Sequence, residues 1–262
     1  MNNITKYSYY RIFAKIYGFC GSYANIVTVN STWTKNHIDQ LWHTNAEIVY
    51  PPCDTERLNA LSIEHRNHQN PFIVSVAQFR PEKDHSLQIQ AMAALFKRFP
   101  QWRKSATIVL IGSSRNEGDA NRIDALKREA KDLGIEDAVR FEINAPYDLL
   151  VSYLGKAKVG LHTMWNEHFG IGVVEYMAAG IIPVAHKSGG PKLDIVTEYD
   201  EKPTGYLADS ADTFAECLND ALSLNEKDYE EMASNARASA SDRFSEESFS
   251  SDLLRCLRPI LT

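Results

Sequence analysis

Five short, mostly apolar runs, at residues 72–77, 107–111, 139–143, 159–163 and 181–185, constrain this chain more than any other feature. Stretches with helical periodicity separate them, over 85–98, about 119–133, 147–156 and up to Ala179. A strand with one face in water alternates polar and apolar residues, whereas a strand rich in apolar residues throughout is covered on both faces. The alternation predicts an α/β fold: a doubly wound parallel sheet with helices on both sides. Ligands of such sheets sit outside the carboxyl ends of the strands, so the loops after these runs are the place to look for chemistry.

The first third of the chain reads differently. Tyr9, Tyr10, Phe13, Ile16, Tyr17 and Phe19 recur at helical spacing between Tyr7 and Tyr23, with Arg11 and Lys15 among them. Two readings stay open for this helix: packing against other protein, or lying in a membrane interface. A β-branched run at 26–29 precedes Asn30-Ser31-Thr32, which suits the N-cap of a helix running to Leu41. Residues 48–50 form a strand stopped by Pro51-Pro52. Residues 59–70 are polar and aperiodic, as in a linker. The terminal 249–261 segment reads as a helix.

Composition narrows the function classes. With 28 Lys and Arg against 34 Asp and Glu in 262 residues, the net charge of −6 argues against nucleic-acid binding, which needs a basic face. The four cysteines, Cys20, Cys53, Cys217 and Cys256, form no CxxC pair or zinc-ligand cluster and read as reduced thiols. No run reaches the ~18 apolar residues of a membrane span. Arg11 and Lys15 break the amino-terminal stretch that a signal peptide would need. The histidines show no HExxH or i,i+4 metal pattern, so no metal site is expected. Asn3-Ile-Thr5 and Asn30-Ser-Thr32 match the glycosylation acceptor pattern and are read as chance matches.

The segment from Trp165 to Gly180 runs from a strand end into a helix and holds the densest chemistry. Phe169, Gly170 and Ile171 stand where a helix N-terminus offers unpaired N–H groups to an anion such as a diphosphate. Gly170-x-Gly172 resembles the start of a dinucleotide fingerprint, but Glu175 occupies the position that fingerprint reserves for Gly or Ala. This counts against an NAD enzyme. Glu167 and Glu175 would repel a diphosphate and are better suited to sugar hydroxyls; equally, Glu175 can simply complement the helix dipole. His168, beside Glu167, reads as a lining residue, with His162 a weaker candidate. Gly189-Gly190-Pro191 is a second strand-to-helix turn, able to aim N–H groups at a phosphate or to serve only the chain path. Arg80 and Lys83 follow the first run of the regular region, where cations can neutralise a diphosphate or remain merely solvated.

Taken together, Arg80-Pro-Glu-Lys83, Glu167-x7-Glu175 with His-Phe-Gly between, Met-Ala-Ala-Gly180 and Gly189-Gly190 resemble the donor half of retaining glycosyltransferases of the GT-B fold. The resemblance covers the chain from about residue 25 onward. More narrowly, residues 75–85 and 161–175 are similar to the α-1,2-mannosyltransferases that build dolichol-linked oligosaccharides. Those enzymes use GDP-mannose on the cytosolic face of the endoplasmic reticulum. The resemblance implies that Glu167 contacts mannose hydroxyls, Glu175 the ribose of GDP, and Lys83, helped by Arg80, the diphosphate. Phe169, Gly170 and Ile171 would give backbone N–H groups, His168 would line the pocket, and Gly189 and Gly190 would shape the adjoining turn. Gln78 departs from the family, where Arg stands five residues before the Lys. No Asp-x-Asp occurs, in line with metal-independent transfer.

The same resemblance divides the chain. Residues 1–54 match the end of an amino-terminal, acceptor-side Rossmann-like domain; 55–70 form the linker; 71–244 form the nucleotide-sugar donor domain; 245–262 form a helix that crosses back to the first domain. On this view the chain is part of an enzyme, able to bind GDP-mannose and impaired in transfer to a dolichol-diphosphate-linked oligosaccharide. The implied setting is a membrane, reached through an upstream segment or the aromatic helix, in company with other mannosyltransferases. Two alternatives remain: a non-catalytic nucleotide-sugar-binding module, and a sugar-nucleotide epimerase of the same fold.

Overall fold

In the computed structural model, residues 3–64, 66 and 70–261 are described; residues 65 and 67–69 of the expected linker lie outside them. The chain opens with α1 (Asn3–Gly21), β1 (Thr28–Val29), α2 (Thr32–Trp42), β2 (Glu47–Ile48) and α3 (Thr55–Asn59), with β1 and β2 paired in parallel. There follow β3 (Phe72–Val76), α4 (His85–Arg98), β4 (Thr107–Gly112), α5 (Glu117–Asp132), β5 (Val139–Ile143), α6 (Tyr147–Leu154), β6 (Val159–His162), α7 (Ile171–Ala178) and β7 (Ile182–His186). The chain ends in β8 (Tyr206–Ala208), α8 (Ala211–Ser223), α9 (Glu226–Phe244) and α10 (Glu246–Leu261).

The six strands β3 to β8 form one parallel sheet in the order β5-β4-β3-β6-β7-β8. The doubly wound sheet expected from the apolar runs is therefore what the chain forms. Successive side chains of a strand point to opposite faces, and here both faces are dry. Ile73 joins Ile89, Met92, Ile108, Leu110 and Phe214 under α4 and α8. Val74 joins Val109, Val174, Tyr176 and Phe244 under α7 and α9. The order also fixes where a ligand can enter. From β3 the chain winds outward to β5, then returns to place β6 on the other side of β3. The loops after β3 and β6 consequently diverge to opposite faces and leave a crevice between them.

Gly160 in β6 is explained by the helix that follows. A Cβ there would fall 2.3 Å from the ring of Tyr176, which lies across the strand and is fully buried. The Tyr176 hydroxyl accepts from the Val76 N–H at 2.7 Å, closing the end of β3. Tyr176→Phe keeps the ring but orphans that N–H, and is expected to lower stability by about 1–3 kcal/mol in chemical denaturation. A cost near zero would mean that water replaces the hydroxyl.

Three parts of the molecule were not legible as periodic elements. β8 has only three residues, and α9 turns small side chains, Ala233, Ala236 and Ala240, to the core. Neither gives a strong apolar signal. The polar stretch expected as a linker contains α3, which packs on α7 and α9. It also holds Arg66, whose guanidinium is buried and donates to the carbonyls of Ser62, Leu154, Ala157 and Ala179. Arg237 similarly donates to the carbonyls of Leu61 and Ala178. Buried Arg66 and half-buried Arg237 thereby satisfy the carboxyl ends of α6 and α7, where the helix dipole favours positive charge. α10, foreseen as a helix, packs on α9 and reaches back to β2 through Arg255, 3.6 Å from Glu47.

Candidate functional site

The crevice between β3 and β6 brings together Lys83 and Glu167, 84 residues apart in sequence. Lys83 ends a single 3₁₀ turn, Pro81–Lys83, whose closing residue Asp84 takes a left-handed backbone and caps α4 through the Leu87 N–H. Buried Thr163, just past β6, ties this turn to the other side of the crevice. Its hydroxyl lies 3.0 Å from the carbonyl oxygens of both Lys83 and Asp84 and accepts from Gln88. The Lys83 ammonium is thus held over the loop that carries Glu167.

Lys83 Nζ donates to Glu167 Oε2 at 2.6 Å and lies 3.2 Å from the Met164 sulfur. Buried His162 places its Nε2 3.4 Å from the same carboxylate oxygen. Burial pushes the Glu167 carboxyl up, but His162 and Lys83 together outweigh it and hold the group at about 2. Glu167 is therefore an anion at any physiological pH, able to accept hydrogen bonds from hydroxyl groups or to face a developing positive charge. An ammonium has three donors, and the ion pair occupies one of them. Lys83 can serve a second anion without leaving Glu167.

Glu175 stands one helical turn into α7 and has the opposite character. Its carboxylate makes no hydrogen bond or ion pair with the described residues, and burial alone raises its pKa. A half-buried, unpaired acceptor on this scale is an unfavourable feature in a free protein. Beyond it, the carboxyl ends of β3, β4 and β5 enclose a cavity of about 320 Å³ lined by Val76, Gln78, Ile111, Ser113, Asn144 and Leu150, among others.

The glycine loops divide into two roles. Gly170, at φ 108°, is the N-cap of α7, and the N–H groups of Phe169, Gly170 and Ile171 donate to no described acceptor. The Phe169 side chain is buried between Tyr50 and Phe244, which anchors the loop from below. Ile171 is 40% exposed. The Gly189-Gly190 turn supports the other loop instead of offering its second amide to a phosphate. Gly190 donates its N–H to the Glu167 carbonyl at 2.8 Å, and Ser188 Oγ accepts from the Asn166 N–H at 2.8 Å. The close approach of two backbones is what requires these glycines.

Two further expected members are engaged in other contacts. Arg80 begins the 3₁₀ turn and lies 3.7 Å from Glu82; its buried Nε has no partner among the described residues. His168 is exposed, its ring stacked 4.1 Å from Trp33 of α2. Trp33 and Asp194, which bonds the first turn of α2 from the turn after β7, carry no sequence signal, because each acts through a partner more than 130 residues away.

Comparison with known proteins places the chain among its relatives. The family described as "Glycosyl transferases group 1" matches residues 58–239, and "ALG11 mannosyltransferase N-terminus" matches residues 1–42. The "GDP-Man:Man(3)GlcNAc(2)-PP-Dol alpha-1,2-mannosyltransferase" of Homo sapiens is 49% identical over 249 residues, covering 93% of this chain and 50% of the relative. Its Xenopus laevis counterpart is 46% identical over 259 residues, covering 97% of this chain and 53% of the relative. The chain thus spans about half the length of the curated relatives it matches. Among solved structures, a glycosyltransferase from Rickettsia africae superposes with a TM-score of 0.79 at 16% identity, covering 95% of this chain and 67% of that one. Anabaena HepE in complex with UDP and glucose gives 0.70 at 23% identity, covering 90% and 63%. These likenesses establish the shared fold.

Proposed function

Because this chain belongs to the glycosyl transferases group 1 family, we propose that it supplies the donor half of a hexosyl transfer from GDP-mannose to a dolichol-diphosphate-linked oligosaccharide. The observation that carries the reading is the Lys83–Glu167 pair at the β3/β6 crevice, a cation and a firmly ionised carboxylate 2.6 Å apart. The names of the relatives supply the donor, the acceptor and the α-1,2 linkage.

In this reading the diphosphate lies on Lys83 and the free N–H groups at the start of α7, with Arg80 adding charge. Mannose hydroxyls bond to Glu167, the ribose to Glu175, and the base enters the cavity beside Gln78. As the bond from the mannose anomeric carbon to the diphosphate breaks, the acceptor oxygen bonds to that carbon on the same face, with configuration retained. Lys83 stabilises the charge growing on GDP, and the Glu167 anion faces the oxocarbenium-like centre. With no Asp-x-Asp in the chain, the diphosphate charge is assigned to side chains and no metal is invoked. For such a lipid-linked acceptor we propose a reaction at the endoplasmic reticulum membrane, on its cytosolic side. No described helix is long and apolar enough to cross a bilayer. The aromatic side chains of α1, Tyr7, Tyr9, Phe13 and Phe19 among them, are exposed and available to that surface or to further protein.

Calorimetric titration with GDP-mannose tests the donor site. Glu175→Ala is expected to weaken binding by about tenfold or more, the worth of a hydrogen bond to a charged group. The same variant should melt higher than the parent when free of ligand, since partial burial raises the carboxyl pKa and so opposes folding of the ionised form. Equal affinity in both proteins would remove the donor-site assignment. Turnover of UDP-N-acetylglucosamine would instead favour an epimerase.

A further inference from the structure

The loop bearing Glu167 is gripped from two directions. From the sheet side, the Ser188 hydroxyl accepts from the Asn166 N–H and the Gly190 N–H donates to the Glu167 carbonyl. From the other side, the His168 ring lies parallel to Trp33, 4.1 Å between centroids and 11° between planes, and Trp33 stacks in turn on His37 at 4.7 Å. This grip costs the molecule a deliberate anchor. Asp194, only 1% exposed, accepts from the Thr32 N–H at 3.0 Å, from the Thr32 hydroxyl and from the Tyr50 hydroxyl at 3.0 Å. Ser31 caps the same helix end through the Thr34 N–H. The first turn of α2 is thereby fixed to the donor domain by a buried carboxyl group that accepts at its amino-terminal end, which sets the height of Trp33 over His168.

We infer that Trp33 is a positioning residue for the sugar-contacting loop, holding Glu167 in register with Lys83 by stacking on His168. The inference rests on the reading of Glu167 as the contact to the donor sugar, and goes beyond it by making donor recognition depend on a residue outside the donor domain. Three features support it. His168 is exposed, so its stack with Trp33 is not a consequence of core packing. The stack joins directly to the residue after Glu167. In the proposed donor pose the nucleotide lies against Glu175 and the cavity beside Gln78, so the effect should be confined to the sugar.

The test is a pair of titrations, GDP and GDP-mannose, on the chain and its variants, reading the ratio of the two affinities. Trp33→Ala is expected to leave GDP affinity unchanged and to lower the GDP-mannose to GDP ratio by about fivefold, the scale of one aromatic stack. Trp33→Phe, which preserves a flat ring, should restore most of the ratio. His168→Ala alters an exposed side chain and so tests the contact without risk to folding. It should reproduce Trp33→Ala, and the double variant should be no worse than either single one. An unchanged ratio in Trp33→Ala, an equal loss for both ligands, or strictly additive single effects would overturn the inference. Absence of GDP binding by the parent chain would instead overturn the donor-site reading on which it rests.

Discussion

In the proposed hexosyl transfer, Lys83→Met is expected to cut the rate by about 10²- to 10³-fold, the effect of removing one preorganised group facing transition-state charge. The methionine keeps the length of the side chain and removes its charge, so the loss reports on electrostatics. A second consequence follows from the ion pair. In the parent, Glu167 is held at about 2 against an ordinary value of 4.5, through His162 and Lys83 working against burial. A depressed carboxylate stabilises the folded state fully above pH 4.5, and that contribution disappears as pH falls from 4.5 toward 2. Without Lys83 the burial of Glu167 is less well compensated and its pKa rises. The variant should therefore be less stable than the parent at pH 7. The deficit should lie below the ~3–5 kcal/mol of a fully buried pair, since the two side chains keep 23% and 16% of their exposure. It should shrink as the pH is lowered through 3. Chemical denaturation at pH 7 and pH 3 measures both arms. A deficit independent of pH would show that the pair does not hold Glu167 ionised, and transfer at the parent rate would end the role assigned to Lys83.

What could be read ahead of the structure follows from the range of each interaction. The strands and helices from 72 to 186 were legible because two-sided burial writes itself into local periodicity. Lys83, Glu167 and Glu175 were legible as residue types at strand and helix ends, yet their unlike electrostatics was not. Glu167 is paired with a residue 84 positions away, whereas Glu175 is left with burial alone. The Gly189-Gly190 turn shows the same limit. Its conformational need was plain, but a local pattern cannot distinguish an amide aimed at phosphate from one donated to the Glu167 carbonyl. Asp194 and Arg66 were invisible for a related reason: an acid within 188–195 and a basic residue within a polar stretch look solvated until long-range packing buries them. Trp33, 135 positions from His168, belongs to a part of the chain whose periodicity speaks only of a helix.

Gly190→Ala is expected to abolish most donor binding while leaving the rest of the fold in place. Its backbone, at φ −59° and ψ −43°, is one any residue adopts, so strain is not the obstacle. The obstacle is space: an added Cβ would stand 2.2 Å from the Phe169 carbonyl oxygen and 2.6 Å from its Cα. Backbone cannot rotate away as a side chain can, so one of the two loops must move. Phe169 is locked between Tyr50 and Phe244, which leaves the 166–168 stretch and the hydrogen bond from the Gly190 N–H to the Glu167 carbonyl to yield. A shift of order 1 Å at Glu167 is enough to lower sugar binding by about 10- to 100-fold. The overpacking itself should cost about 1–3 kcal/mol, or roughly 2–4 °C in Tm per kcal/mol for a chain of this size. Gly134→Ala provides the contrast. At φ +68° it has nothing within 4 Å of its Cβ position. It should pay only the ~1–2 kcal/mol of a left-handed alanine and bind GDP-mannose as the parent does. If both variants bind equally well, the loop tolerates displacement and the close packing of the two turns is not what places Glu167. If only Gly190→Ala loses the sugar, the second glycine of the turn is retained for the position it imposes on a neighbouring loop.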